Sequence, residues 1–410
     1  MAPPILTESA IRKHRPFVLF WFARIFGSVA LQMQVVAVGW QMYALTGSAL
    51  DLGLVGLAQF VPSAALLLLA GHAADRHDRR LIVRLCQVAE GLCAAALMLG
   101  TYQEWLSREM IFLIVFVLGS ARAFEMPTTQ ALLPGLIPPA LLPRAVAASA
   151  SAMQTASIGG PALGGLLYAV SPTFVYFICF VLFISASICV SLIRIERVPP
   201  AREPVSAAML FAGIDFIRRN PVILGAISLD LFAVLLGGAT ALLPIYARDI
   251  FQTGSWGLGI LRAAPAFGAL LMALALARWP LGRRAGVKMF AGVASFGLAT
   301  VVFGLSESFT LSLAALFVLG ASDMVSVVVR QTLVQINTPD AMRGRVAAVN
   351  SLFIGTSNQL GEFESGLLAN FVGAKASVVI GGLGTLAIVG MWMALFPRLR
   401  AVDRLDRQSG

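Results

Sequence analysis

Twelve runs of mostly apolar residues, separated by short polar breaks, occupy the chain from about residue 17 to residue 396. A membrane-crossing helix needs about 20 such residues to span roughly 30 Å of hydrocarbon. The runs predict helices over 17–46, 51–73, 80–101, 110–133, 144–170, 173–193, 222–248, 255–278, 287–305, 309–334, 343–371 and 376–396. Glycine and proline recur inside them, as membrane helices tolerate when neighbours satisfy the freed backbone groups. Gly159, Gly160, Gly164 and Gly165 in the fifth run would allow a second helix to approach closely. The expected fold class is therefore an all-α membrane protein with 12 transmembrane helices and the lipid bilayer as its solvent. Composition supports this: 58% of residues are hydrophobic and 12% charged, where a soluble domain carries about 25% charged residues.

Charge adds orientation. With a cytoplasmic N-terminus, 23 of the 30 Lys and Arg side chains fall in cytoplasmic segments, three (Arg108, Arg248 and Lys375) fall outside, and four (Arg24, Arg122, Arg262 and Arg330) lie within spans. That bias predicts both termini in the cytoplasm. The net charge of +10 is dispersed over short loops, so it reports topology and argues against a nucleic-acid partner. No secretory signal is expected, because the first 16 residues are polar or mixed and the first apolar run is too long. Cys86, Cys93, Cys179 and Cys189 lack ligand spacing and read as small hydrophobes, and His14, His72 and His77 assemble no metal site or nucleophile–base pair. No Gly-Lys-Ser/Thr phosphate loop supports ATP coupling. The chain reads as neither enzyme nor metalloprotein, and no cofactor is expected.

The longest polar stretch follows the sixth run and divides the chain. The expected organisation is an N-terminal arm over 1–16, a six-helix bundle over 17–193, a linker over 194–221, a second bundle over 222–396 and a tail over 397–410. The linker opens with Pro199, Pro200 and Pro204; within 207–219, Leu210, Ile214 and Ile217 share a helical face. It reads either as an interfacial helix or as a flexible tether. The halves repeat at a shift of 201 residues: Phe116-Val-Leu-Gly119 recurs as Phe317-Val-Leu-Gly320, Gln130 as Gln331, Arg144 as Arg345, Gly160 as Gly361, and Gly165-Leu-Leu167 as Gly366-Leu-Leu368. Spans four and five thus repeat, in parallel orientation, as spans ten and eleven.

An ionised side chain at mid-bilayer costs about 2.5–3.5 kcal/mol on insertion scales, so each needs a partner, a wet cavity or a function. The first, fourth, seventh and tenth runs carry Arg24, Arg122 with Glu125, Asp230, and Asp323 with Arg330. The eighth adds Arg262 and the eleventh Glu362 and Glu364. Arg122 and Glu125 are three apart and share a helix face, with Arg122 about 17 Å into its helix. The repeat maps Arg122 onto Asp323, whereas Glu362 and Glu364 replace Pro161 and Leu163 of the first half. Dehydration favours the protonated form of a carboxyl, which lets such groups exchange protons near neutral pH. Buried ion pairs that fix helix register are the plainer alternative, and Glu90, deep in the third run, reads as structural.

The loop Gly71-His-Ala-Ala-Asp75-Arg76-His-Asp-Arg79-Arg80 resembles the signature loop of the major facilitator superfamily, although Asp78 stands where that family has a second glycine. A closer likeness is to the enterobactin exporter-like and drug:proton antiporter branch. It rests on Leu45-Thr-Gly-Ser-Ala49, Gln130-Ala-Leu-Leu-Pro134, Asp323-Met-Val-Ser326, Arg330-Gln331, Thr338-Pro-Asp340, Met342-Arg-Gly-Arg-Val346 and Gly361-Glu-Phe-Glu-Ser-Gly366. The resemblance implies two pseudo-symmetric six-helix bundles, with helices one, four, seven and ten lining a central site. It implies a gate at Gly71, Asp75, Arg76, Arg79 and Arg80, with Asp75 facing the start of the eleventh helix and the arginines pairing with acids or carbonyls.

The expected function is a proton-driven exporter of a small amphipathic solute, siderophore- or drug-like, in a bacterial inner membrane, acting as a monomer by alternating access. Arg24, Arg122, Glu125, Asp230, Asp323, Arg330, Glu362 and Glu364 form the expected substrate and proton pathway. Two alternatives stay open: an importer or facilitator on the same fold, and a non-transporting receptor or assembly protein.

Overall fold

The computed structural model describes residues 14–194 and 207–403, and every regular element among them is helical. Twelve helices run in the expected order. They are α1 (Arg15–Thr46), α2 (Ala49–Ala65 and Leu67–Arg76), α3 (Arg79–Tyr102), α4 (Arg108–Leu132), α5 (Leu142–Val170) and α6 (Pro172–Ser191). After the linker come α7 (beginning with Pro221–Leu236), α8 (Gly254–Arg278), α9 (Ala285–Leu305), α10 (Phe309–Asn337), α11 (Asp340–Val372) and α12 (Ala374–Leu395). Polar side chains start several of them: Ser107, Ser171, Asn220 and Ser308 each accept a backbone N–H in the first turn, satisfying donors that a helix start leaves free.

Among the described residues nine helices are individually long and apolar enough to cross a membrane. The other three are α2, α5 and α11. Two of the predicted continuous spans are interrupted. α2 breaks at Leu66. α7 stops at Leu236, passes Gly237-Gly238, and continues as a 3₁₀ turn (Ala239–Leu242), a single α turn (Leu243–Ile245) and a π turn (Tyr246–Ile250). The glycine pair and Pro244 remove the local support for a straight helix. α5 and α11 fall short on hydropathy because α5 is built from Ala, Ser and Gly and α11 carries charge.

The chain forms two compact units: Met1–Val38 with Ala58–Val205, and Gly39–Leu57 with Ser206–Gly410. Within them the sequence repeat becomes a packing repeat. In the first unit a Cβ on Gly119 of α4 would lie 2.3 Å from the Gln59 carbonyl oxygen of α2, and in the second a Cβ on Gly320 of α10 would lie 1.9 Å from the Pro265 carbonyl of α8. Likewise Gly160 of α5 abuts Gln32 of α1, and Gly361 of α11 abuts the Val234 and Leu235 carbonyls of α7. The glycines, Gly119 with Gly320 and Gly160 with Gly361, are related by the 201-residue shift. Only a residue without a side chain permits backbones to approach this closely.

In the second unit the end of α1 is tied to the π turn of α7. The Tyr43 hydroxyl donates to the Asp249 carboxylate, while Arg248 Nη1 donates to the Tyr43 carbonyl at 3.0 Å and its guanidinium sits 5.4 Å from the Tyr43 ring centroid. The start of α2 follows, with Gly53 packed on Phe363 and Gly366 of α11.

The linker contains a helix, Ala207–Arg219. Its Gly213 lies against the Arg345 carbonyl, and buried Ile217 joins Ile223, Ile227, Val346 and Val349, with Ile214 packed alongside. Residues 207–219 thus form a helix docked on α7 and α11, while Phe211 stays exposed. The side chain of Leu210, and the prolines Pro199, Pro200 and Pro204, lie outside the described residues.

The end of the described chain folds back on the turn before α9. Asp403 Oδ1 accepts the Arg284 backbone N–H at 3.0 Å, its Oδ2 lies 3.4 Å from Arg283 Nε, and the Asp403 carbonyl accepts from Ala285 N–H at 3.1 Å.

Candidate functional site

The embedded charges gather into separate groups, one in the first unit and two in the second. In the first, Arg122 Nη1 of α4 lies 3.8 Å from Glu125 Oε2 and 3.9 Å from Glu90 Oε1 of α3. One guanidinium is thus shared by two carboxyls. Gln87 Nε2, one turn before Glu90, donates to Glu125 Oε1 at 3.3 Å. Arg24 of α1 lies within electrostatic reach of Glu125 and Arg122, and its Nε has no hydrogen-bond partner. Exposure is graded across the group. The Arg122 side chain is 27% exposed and that of Glu125 15%, whereas that of Glu90 is 1% exposed.

In the second unit Asp230 of α7 and Arg330 of α10 form a direct pair at 2.8 Å, both buried. Asp323 stands seven residues before Arg330, on the same face of α10, and within electrostatic reach of both partners. Two carboxyls again share one arginine. Among the described residues no second cation is paired with the three, so with all ionised they carry an excess negative charge. The other pair is Arg262 of α8 with Glu362 of α11 at 3.8 Å; Glu362 also packs on Gly56 at the start of α2. Glu364 does not join it. Two residues apart on a helix point to different faces, and Glu364 instead accepts from Ser365 at 3.5 Å.

In the loop between α2 and α3, Gly71 and Arg76 lie in the second piece of α2, and the side chain of Asp75 is outside the described residues. Arg79 Nη1 donates to the Ala131 carbonyl at 2.9 Å, and Arg80 Nη1 to the Ile193 carbonyl at 3.0 Å. Both arginines therefore clamp the ends of neighbouring helices inside the first unit. Asp78, the departure from the family pattern, caps α3: its Oδ1 accepts the Arg80 backbone N–H at 2.9 Å and its Oδ2 pairs with the Arg80 guanidinium at 2.8 Å. The Arg80 hydrogen bond holds the Asp78 carboxyl below the ordinary range.

Sequence reading missed Gln87, whose polar signal is one amide in an otherwise apolar face. It also missed Gln34 of α1, 1% exposed with neither amide atom hydrogen-bonded. For Gln87 the usable signal is a glutamine one turn from the intramembrane Glu90; Gln34 is ten residues from Arg24, the nearest charge on its helix, and carries no such signal.

Twelve helices in two bundles with a repeated packing scheme, enclosing paired charges, define a transporter of the major facilitator class, not an enzyme. The chain belongs to the family described as transmembrane secretion effectors, whose model matches residues 8–410. It is 27% identical over 417 residues to the enterobactin exporter EntS of Shigella dysenteriae serotype 1 (strain Sd197), covering 97% of this chain and 95% of that protein. The same identity and coverage hold for EntS of Escherichia coli O139:H28 (strain E24377A / ETEC). Among solved structures it resembles a bacterial homologue of the human lysosomal transporter Spinster (TM-score 0.73, 14% identity, 94% of this chain and 96% of that one). It also resembles a bacterial homologue of the iron transporter ferroportin (TM-score 0.71, 16% identity, 94% and 99%). At these identities the structures share the fold alone. The chain is a multi-pass membrane protein.

Proposed function

We propose that this transporter exports a small amphipathic solute across a bacterial inner membrane in exchange for protons, by alternating access, with both termini cytoplasmic. The observation that carries the reading is the second unit's charge imbalance, Asp230 and Asp323 around Arg330. A lone proton, or a cationic group of the substrate, neutralises it; two ligands that neutralise the same excess charge compete, and competition between substrate and proton is the requirement for exchange. Export as the direction draws on the 27% identity to proteins named as enterobactin exporters. A siderophore- or drug-like solute suits a site in which apolar side chains supply contact area and a few polar groups orient the ligand. The proposed pathway comprises Arg24, Arg122 and Glu125 in the first unit and Asp230, Asp323, Arg330, Glu362 and Glu364 in the second. No cofactor besides the proton gradient enters the scheme, and the monomer is the working unit.

The test uses inverted membrane vesicles loaded by an imposed pH gradient, with a panel of amphipathic fluorescent solutes. Wild-type vesicles should accumulate at least one solute only while the interior is acidic. Asp323→Asn should abolish accumulation against a gradient while leaving counterflow between equal solute pools. Accumulation by Asp323→Asn as steep as that of the wild type would remove Asp323 from the coupling.

A further inference from the structure

Glu90 is not used by the scheme above, and its surroundings are unusual. The residue is 0% exposed, and neither carboxyl oxygen has an N–H or hydroxyl donor at hydrogen-bonding distance. Among the described residues its one cationic contact is long, 3.9 Å, to an Arg122 nitrogen that lies 3.8 Å from Glu125. The Glu125 carboxyl is its other charged neighbour, within reach of a hydrogen bond once one of the two acids carries a proton. An ionised carboxylate sealed from water needs close, multiple donors, and Glu90 has none at hydrogen-bonding distance. Arg122, by contrast, reaches a surface on which Glu90 does not open.

The groups facing Glu90 are few. α4 contributes Arg122 and Glu125, and α1 contributes Arg24, which senses that pair. Glu90's own helix contributes Cys86 and Cys93, and α6, packed along α3, holds no acidic or basic side chain, only Tyr176, Cys179 and Cys189. His72 and Arg76 on the second piece of α2 stand by the start of α3, about three helical turns from Glu90. With all four ionised, Arg24, Arg122, Glu90 and Glu125 cancel. With a proton on Glu90 the group is left with one positive charge, borne by arginines of which Arg122 is partly exposed.

We propose that Glu90 is a positioning residue that sets, through Arg122, the affinity of the first unit for an acidic group on the substrate. Ionised, it retains the guanidinium. After taking a proton by way of the partly exposed Glu125 carboxyl it becomes a neutral acid and releases Arg122 to bind the anion. Linkage makes this reciprocal: an anion on Arg122 strengthens proton binding at Glu90 by the factor by which the proton strengthens anion binding. The inference rests on the transporter reading and names an acidic group as one feature of the solute; the Glu90 proton binds together with that group, so it is distinct from the proton exchanged at Asp230 and Asp323, where proton and solute compete.

Infrared difference spectroscopy on the full-length protein in lipid, titrated with pH, tests it without requiring transport. Wild type should show the carbonyl band of a protonated carboxylic acid that Glu90→Gln lacks and Glu90→Asp retains at a shifted frequency. Arg122→Gln removes the cation that favours the carboxylate, so the midpoint of that band should move to higher pH. Adding benzoate should move it the same way in wild type, and benzamide, its uncharged counterpart, should not. Benzoate affinity in wild type should rise several-fold from about pH 8 to about pH 6 and be flat in Glu90→Gln. Absence of the band, or a midpoint indifferent to Arg122→Gln, overturns the proposal, as does benzoate binding that is missing or equal at both pH values. Vesicle transport separates the two readings. A Glu90 band that tracks Arg122 stands even if no proton-driven export is found, and export with an Arg122-independent band sinks the Glu90 role alone.

Discussion

Removing the Asp230 carboxylate takes the direct 2.8 Å partner from a guanidinium, that of Arg330, which is 3% exposed, and leaves it only the electrostatic reach of Asp323. Asp230→Ala should therefore cost about 3–5 kcal/mol of stability, read as a fall in the thermal midpoint of the purified protein. The double variant Asp230→Ala/Arg330→Met should lose less than Asp230→Ala alone. At the membrane surface, Asp78→Ala removes the α3 cap and should cost about 1 kcal/mol. Because the Asp78 carboxyl is held below its ordinary value, its contribution is complete above the unfolded-state pKa and disappears as pH falls through the lowered one. The wild type should thus lose its stability advantage over Asp78→Ala only in strongly acid buffer. The ionisable residues themselves were readable from the sequence, since charge stands out in apolar runs. Their partners were not: Glu90 meets Arg122, and Asp230 meets Arg330, across separate helices. The i,i+3 pair Arg122–Glu125 was the exception, because helix geometry alone brings it together.

For the helices, the glycine contacts give the sharpest expectation. Gly320→Ala forces a methyl group into the Pro265 carbonyl of α8, where a Cβ would come within 1.9 Å. It should lower the thermal midpoint and the membrane yield markedly. Gly355→Ala on α11 meets nothing within 4 Å and should leave both unchanged. The apolar runs already marked α5 and α11, and the 201-residue repeat added that the two correspond, since Gly160 and Gly361 keep the same task in both units. The breaks in α2 and α7 were invisible to an apolar count, which scores Gly237-Gly238 and Pro244 as harmless interruptions. The linker helix was half legible. Its apolar face showed in Ile214 and Ile217, but the surface it docks on belongs to α7 and α11.

For the whole molecule, the lysine and arginine bias expects reporter fusions to both termini to be active on the cytoplasmic side. An enzyme reporter active only outside the membrane should stay silent at either end and give signal when inserted near Gly373, between α11 and α12. The fold was readable at this scale because lipid leaves so few ways to satisfy a backbone. The grouping of Gly39–Leu57 with the second unit was not readable, since it rests on Tyr43 finding Asp249, 206 residues away.

Asp403 fastens the end of the chain to the first turn of α9, and that has a practical bearing on handling the protein. A purification handle or fluorescent domain joined beyond residue 403 leaves the fastening whole. Trimming to Leu399, or splicing a bulky module in its place, would strip three backbone amides, those of Arg284, Ala285 and Gly286, and the Arg283 side chain of their acceptors. Such a product should melt earlier and aggregate sooner in detergent than one carrying the same cargo a few positions later.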